Sequence, residues 1–336
     1  MAGLFAGAAL LAGTVSAALI VLLRPLLQRY ALARPNARSS HVVPTPQGGG
    51  VAVLAAAFVV AAPLTVLLGG RAALPDLAVL AAAALVLAVT GAVDDVRPLS
   101  PALRLVLQVG AVTSLVQFAD PGRILPEPLP LALERTLLIL AGVWWVNLVN
   151  FMDGIDWITV AQFVPLTGAL VLFGIAGGYP PVPAAVAAAL CGALLGFAPA
   201  NRPVARLFLG DVGSLPLGLV SGWLLLELAA AGHLAAALLL PLYHLADATL
   251  TLALRARRRE RLWEAHRSHF YQRASDRGLR VMEIDRHVFG LNLGLAALAA
   301  ATLWASHLAG PALAVGGALV ALTLWRFGHR RRVHGR

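Results

Sequence analysis

The chain has 336 residues, of which 59% are hydrophobic and only 12% charged, with a mean hydropathy of +0.80 and a formal net charge of +10. That balance excludes a soluble globular domain and a disordered chain; apolar runs of this length suit a bilayer core about 30 Å thick, and the class is a polytopic membrane protein. No nucleic-acid partner is expected, and the lone Cys191 excludes an intramolecular disulfide.

In chain order, residues 4–23 read as a first span without a basic stretch ahead of it, followed by Arg24, Arg29, Arg34 and Arg38. Further spans read as 50–69, 77–93, 101–119, 133–150, 158–176, 183–199, 213–230, 234–252, 288–308 and 312–327. This predicts an all-α bundle of about eleven spans with the N-terminus outside and the C-terminus in the cytoplasm. Arginine placement agrees: 23 fall in the segments assigned to the cytoplasm and 3 in the outer ones, Arg71, Arg123 and Arg135. The loops are too short for a separate soluble domain, so residues 1–336 form one membrane domain. All basic residues are arginines, whose forked donors match phosphate oxygens, although codon bias alone accounts for the missing lysine.

The first cytoplasmic loop ends in RSSHVVPTPQGGG (38–50), whose glycines read either as an anion-binding nest or as a flexible entry to the next span. The outer stretch ILPEPLPL (124–131) reads as a stiff connector. Asp94 and Asp95 stand side by side at a span end, in TGAVDDVRP; adjacent carboxylates repel unless a cation sits beside them.

The densest cluster is NLVNFMDGIDW, where Asn147, Asn150, Asp153 and Asp156 recur every third residue. A continuous α-helix would put Asn147 and Asp156 on opposite sides; a 3₁₀ turn, or a break at Gly154, would bring all four towards one pocket. Asp211 lies in ANRPVARLFLGDVGS, again at a span end. Five carboxylates on one membrane face suit Mg²⁺ held beside substrate phosphates. The segment 251–287 carries ten arginines against five acids and includes WEAHRSHFYQRA (263–274). It reads as a phosphate contact or as an interfacial helix facing anionic lipid. His244 and Asp247, one turn apart inside a span, read either as a functional pair or as a polar clasp between helices.

Taken in order, PTPQGGG, GAVDDV, NLVNFMDGID, NRPVARLFLGDVGS and AHRSHFYQR resemble the polyprenyl-phosphate N-acetylhexosamine-1-phosphate transferases of glycosyltransferase family 4, which include the phospho-N-acetylmuramoyl-pentapeptide transferases. The resemblance runs from about Arg34 to Arg273. It implies Mg²⁺-dependent transfer (Mn²⁺ as the alternative ion) of an N-acetylhexosamine 1-phosphate from a UDP-sugar to undecaprenyl phosphate. The transfer would occur at the cytoplasmic face of a bacterial inner membrane and release UMP. By the same resemblance Asp211 and Asn150 correspond to metal-binding residues. Asp94, Asp95, Asp156, His266 and His269 correspond to catalytic ones, and Asn147, Asp153, Asn201 and Arg267 to substrate-binding ones.

Two departures stand out: Trp157 follows DGID where a small residue is usual, and HRSH replaces packed histidines. HRSH with YQR resembles the subgroup that initiates O-antigen, which disfavours a muramoyl-pentapeptide donor. Direct attack by the lipid phosphate is the favoured route, with a covalent aspartyl-phosphate on Asp94 or Asp95 as the other. A homodimer in the membrane is compatible with the sequence. A transporter or channel with a cytoplasmic-side site is the alternative function class.

Overall fold

The computed structural model describes residues 1–33, 44–118, 122–124, 129–261 and 266–329. Parts of three sequence features lie outside them: 38–43 of the glycine-rich loop, 125–128 of the proline-rich connector and 263–265 of the histidine segment. The chain is an all-α helix bundle. Its helices are α1 (Ala2–Tyr30), α2 (Gly49–Gly69), α3 (Leu74–Val96), α4 (Pro101–Phe118), α5 (Leu131–Met152), α6 (Ile158–Ile175) and α7 (Pro181–Asn201). They are followed by α8 (Asp211–Ala230), α9 (Leu234–Leu239), α10 (Leu242–Arg257), α11 (Phe270–Asp276), α12 (Val281–Trp304) and α13 (Ala309–His329). Two short antiparallel strands, β1 (Leu32–Ala33) and β2 (Thr45–Pro46), precede α2.

Among the described residues, ten helices are long and apolar enough to cross a membrane. The centre of the bundle is α6, α7 and α8, buried over most of their length. A helix apolar on every side is stable only when enclosed by other helices or by lipid. The outer helices instead expose apolar side chains, such as Leu10, Leu85 and Val106, on faces suited to hydrocarbon.

The expected ninth span, 234–252, is not one helix. It breaks between α9 and α10 at Leu240–Pro241. Proline has no N–H to give to the preceding turn, which leaves the helical ladder a bond short at that point. Gln162 of α6 donates its side-chain amide to the Leu240 carbonyl at 3.1 Å, supplying a buried donor at the break.

The glycine-rich loop is not an anion nest at its described end. The Gly49 and Gly50 amides donate to the carbonyls of Phe208 and Leu209, both at 2.9 Å. Gly50 is needed for contact: a Cβ there would lie 2.1 Å from the Gly213 Cα, so α2 meets the start of α8 backbone to backbone.

Candidate active site

The N-terminus of α8 is capped from another helix. Asp95 accepts from the backbone N–H of Asp211 through Oδ1 and of Val212 through Oδ2, both at 3.3 Å. A carboxylate there satisfies orphan donors and complements the helix dipole. Gly91, one turn back on α3, permits the approach, because a Cβ on it would lie 2.2 Å from the Asp211 carbonyl oxygen. Asp94 is used differently: it accepts from the Leu99 N–H at 2.6 Å and pairs with Arg104 Nη1 at 2.6 Å. The two adjacent aspartates thus split between helices, and the charges of both bear on Asp211.

The C-terminal turns of α5 bring the asparagines to the same place. Asn150 Nδ2 donates to Asp211 Oδ1 and to Ser214 Oγ, each at 2.8 Å, which turns its carbonyl oxygen away from both. Asn147 Nδ2 donates to Gln108 Oε1 at 2.6 Å and to the Val143 carbonyl at 2.8 Å. The helix then ends, with Asp153 as its C-cap. The Thr159 hydroxyl donates to Asp153. Burial pushes the Asp153 carboxyl up to about 6; Thr159 draws it back, and Asp211 and Asp156 add repulsion.

The spacing of three is resolved by the end of the helix at Met152, and it does not gather all four residues. Asp156 accepts instead from the N–H of Ala205, in the loop between α7 and α8, at 2.9 Å. Trp157 takes a left-handed conformation (φ 62°) at the N-cap of α6, which accounts for a small residue being usual there. Its indole N–H donates to the Ala198 carbonyl at 2.6 Å, and its backbone N–H donates to Asn201 Oδ1 at 2.9 Å. Asn201 also gives its amide N–H to the Leu207 carbonyl at 3.0 Å, so its polar atoms hold the loop.

The histidine segment is anchored on α10. Asp247, fully buried, accepts from the backbone N–H groups of Phe270 (3.0 Å) and Tyr271 (3.3 Å) and lies 3.4 Å from His269 Nδ1. It is a clasp between α10 and α11, while the His244 ring packs edge-on against Phe163 and Tyr243. His266 and His269 lie with ring centroids 4.9 Å apart. Burial, then the neighbouring His269 and Arg255, lower the His266 imidazole to about 4, so it is neutral near pH 7. Arg267 reaches sideways to Asp276 at 2.9 Å. Tyr271 stacks on His269 and donates to the Phe151 carbonyl at 3.3 Å, joining this segment to the end of α5.

These groups border an open cavity of about 920 Å³ between α4, α5, α8 and α10. Asn147, Asn150, Asp211, His266 and His269 line it; Asp94, Asp95, Asp153, Asp156, Asn201 and Arg267 do not. Its polar head continues into an apolar stretch past Leu105, Leu140, Val143, Trp144 and Leu252. Arg104 and Gln108 line it too, and sequence reasoning passed over both. The available signal was their spacing: a cation and an amide one turn apart in the first, otherwise apolar half of α4.

Among the described residues, no three His, Cys, Asp or Glu side chains form a metal cage. What is present is a carboxylate and an amide, Asp211 and Asn150, at the cavity wall. Asp94 and Asp95 add negative charge behind them and Arg104 offsets part of it. Hard oxygen donors with surplus negative charge fit Mg²⁺, which keeps several waters and takes phosphate oxygens rather than filling a protein cage.

Residues 77–229 match the model of Glycosyl transferase family 4. The matched stretch is a little under half of the chain, and over it the chain is similar to that family. The family 4 segment runs from α3 to the end of α8. It includes both aspartates of the pair, the asparagine and DGID residues, Asn201 and Asp211, and ends before the histidine segment. Decaprenyl-phosphate N-acetylglucosaminephosphotransferase of Mycolicibacterium smegmatis is 33% identical over 215 residues, 57% of this chain and 52% of that protein. The protein of the same name from Mycobacterium leprae is 33% identical over 211 residues, 56% and 52% respectively. Phospho-N-acetylmuramoyl-pentapeptide-transferase of Nostoc sp. is 32% identical over 238 residues, 62% of this chain and 60% of that protein. The chain thus spans about half the length of the first of these relatives.

Proposed function

We propose that this protein transfers an N-acetylhexosamine 1-phosphate from a UDP-sugar to a polyprenyl phosphate such as undecaprenyl phosphate. UMP is released, at the cytoplasmic face of a bacterial inner membrane. The observation that carries the reading is the two-part cavity, an apolar stretch that continues into a head of Arg104, Asn150, Asp211, His266 and His269. A long prenyl chain matches the first part and phosphates match the second. The names of the relatives support the same class, since one acts on decaprenyl phosphate and the other is a phospho-sugar transferase.

In this reading an oxygen of the lipid phosphate attacks the sugar-bearing phosphorus of the UDP-sugar. The anhydride bond breaks, and UMP leaves with the bonding electron pair. A phosphate monoester is largely dianionic at neutral pH, so repulsion between anions, not nucleophile activation, is the barrier. Arg104 offers its guanidinium to the phosphates; His266 and His269, with His266 neutral in the free protein, offer hydrogen bonds. Asp211 and Asn150 would hold Mg²⁺, which when bound supplies charge neutralisation between the two phosphates. Asp95 fixes Asp211 through the α8 amides, and the Gln108–Asn147 pair fixes the cavity wall. The HRSH and YQR residues favour an O-antigen-type donor, as opposed to the muramoyl-pentapeptide.

The test uses purified protein with undecaprenyl phosphate, Mg²⁺ and a panel of UDP-N-acetylhexosamines. UMP release that needs both lipid and metal supports the proposal, and Asp211→Asn should lose most turnover, recovering in part at high Mg²⁺. Substrate flux across vesicles without bond cleavage would overturn it in favour of a transporter.

A further inference from the structure

A second cavity, of about 560 Å³, lies on the other side of the loop that leads to Asp211, and no residue lines both cavities. It follows from how α1 meets α7. Their backbones touch where residues are small: a Cβ on Gly192 would lie 1.9 Å from the Ala9 carbonyl oxygen, and one on Gly196 2.2 Å from that of Gly13. Beyond Gly196 each helix carries an internal proline, Pro25 in α1 and Pro199 in α7, and the cavity opens between them. Its walls are apolar at Ile20, Val21 and Leu207 and polar at Arg24, Gln28 and Arg206, with no acidic side chain among the described residues lining it.

The charge there is unbalanced. Arg24 Nε is buried without a hydrogen-bond partner among the described residues. Arg206 is exposed, and one of its Nη atoms reaches only a carbonyl, that of Pro199, at 3.3 Å. A buried guanidinium N–H left unpaired is costly, and an anion with several acceptor oxygens removes the cost. The cavity also borders an outer face of α1 where Val21, Leu22 and Leu26 are exposed, as a lipid chain requires.

We propose that this cavity binds an anionic membrane lipid, with its phosphate between Arg24 and Arg206 and an acyl chain along the α1–α7 cleft. The site is separate from the one that would hold the prenyl phosphate. Its occupant would brace the loop from which Leu207 holds Asn201 and Phe208 bonds to Gly49.

The test is lipid retention by the purified full-length protein, read by native mass spectrometry and by the thermal shift on adding lipid. Phosphatidylglycerol should bind and raise the melting temperature, whereas phosphatidylcholine and inorganic phosphate should not. Arg24→Gln and Arg206→Gln should each weaken phosphatidylglycerol binding about fivefold. Arg202→Gln, on the same loop but outside the cavity, should not. Arg206 is exposed, so its variant decides the matter even if Arg24→Gln folds poorly. Wild-type affinity in Arg206→Gln, equal binding of phosphatidylcholine, or saturation by inorganic phosphate alone would each overturn the proposal. Because the readout is binding, failure of the transferase reading would leave this result interpretable.

Discussion

Asp95→Asn separates the two chemical routes open to a paired aspartate. In the structure Asp95 spans the Asp211 and Val212 amides, both at 3.3 Å, and so sets where Asp211 stands. Asparagine keeps the shape but loses the charge, and it turns one acceptor oxygen into an amino group facing a helix N–H. Loss of an N-terminal cap costs about 0.5–2 kcal/mol, and loss of a charge at the helix dipole about 0.3–1 kcal/mol. If roughly 1–2 kcal/mol of that falls on the placement of Asp211, turnover drops about 5–30-fold, since about 1.4 kcal/mol is tenfold. A nucleophile cannot be removed so gently; its loss costs about 10⁴-fold or more. The assay is single-turnover UMP release with protein in excess, run with and without undecaprenyl phosphate. A stoichiometric burst of UMP without lipid, abolished in Asp95→Asn, would refute the positioning role and establish a covalent route.

Three further outcomes are expected. His266 is lowered to about 4 from its ordinary 6.5, so below 6.5 the unfolded chain takes up a proton that the folded chain refuses. Thermal stability should therefore fall as pH drops from about 6.5 towards 4, and His266→Gln should flatten that slope; an unchanged slope contradicts the assignment. Gly91→Ala would press a methyl against the Asp211 carbonyl, whereas Gly110 has nothing within 4 Å of a built Cβ. The first should cost about 1–3 kcal/mol and most activity, and the second should be neutral or slightly stabilising, by melting temperature and turnover. Trp157→Gly relieves a left-handed backbone worth about 1 kcal/mol but loses a half-buried indole and its bond to Ala198, so a net loss of about 1–3 kcal/mol is expected. A stabilised variant would show that the indole contributes nothing there.

The helical, membrane-spanning character was legible because lipid demands long apolar runs, and ten of the eleven expected spans emerge as continuous long helices. The exception lies at Pro241, and proline alone did not mark it, because Pro63, Pro165 and Pro216 sit inside helices that stay continuous. Side-chain destinations were less legible. Asn147 to Asp156 share a spacing, yet the chain reverses after Asp153 and sends Asp156 to the Ala205 amide, a partner 49 residues away. Periodicity carries no information about where a chain goes once its helix ends. The three glycines of the first loop resembled an anion nest for the same reason: two of their amides meet carbonyls of a strand-like segment near residue 208, which no local pattern reveals.

The histidine segment and the DGID turn lie more than 100 residues apart in the chain, yet they pack as one unit. Tyr271 stacks on His269, and its hydroxyl meets the Phe151 carbonyl. The next contact explains the glycine of DGID: a Cβ on Gly154 would fall 2.2 Å from that hydroxyl and 2.8 Å from Gln272 Nε2. On the other side Asp247 takes the Phe270 and Tyr271 amides and stands 3.4 Å from His269 Nδ1, which directs the opposite ring nitrogen away from α10. Because the helix breaks at Pro241, α10 is a separate element whose placement need not follow α9. The turn after α5 and the loop before α11 therefore share their supports. A substitution at Gly154, Tyr271 or Asp247 would move His269 and Asp153 together, even though of these five only His269 lines the cavity.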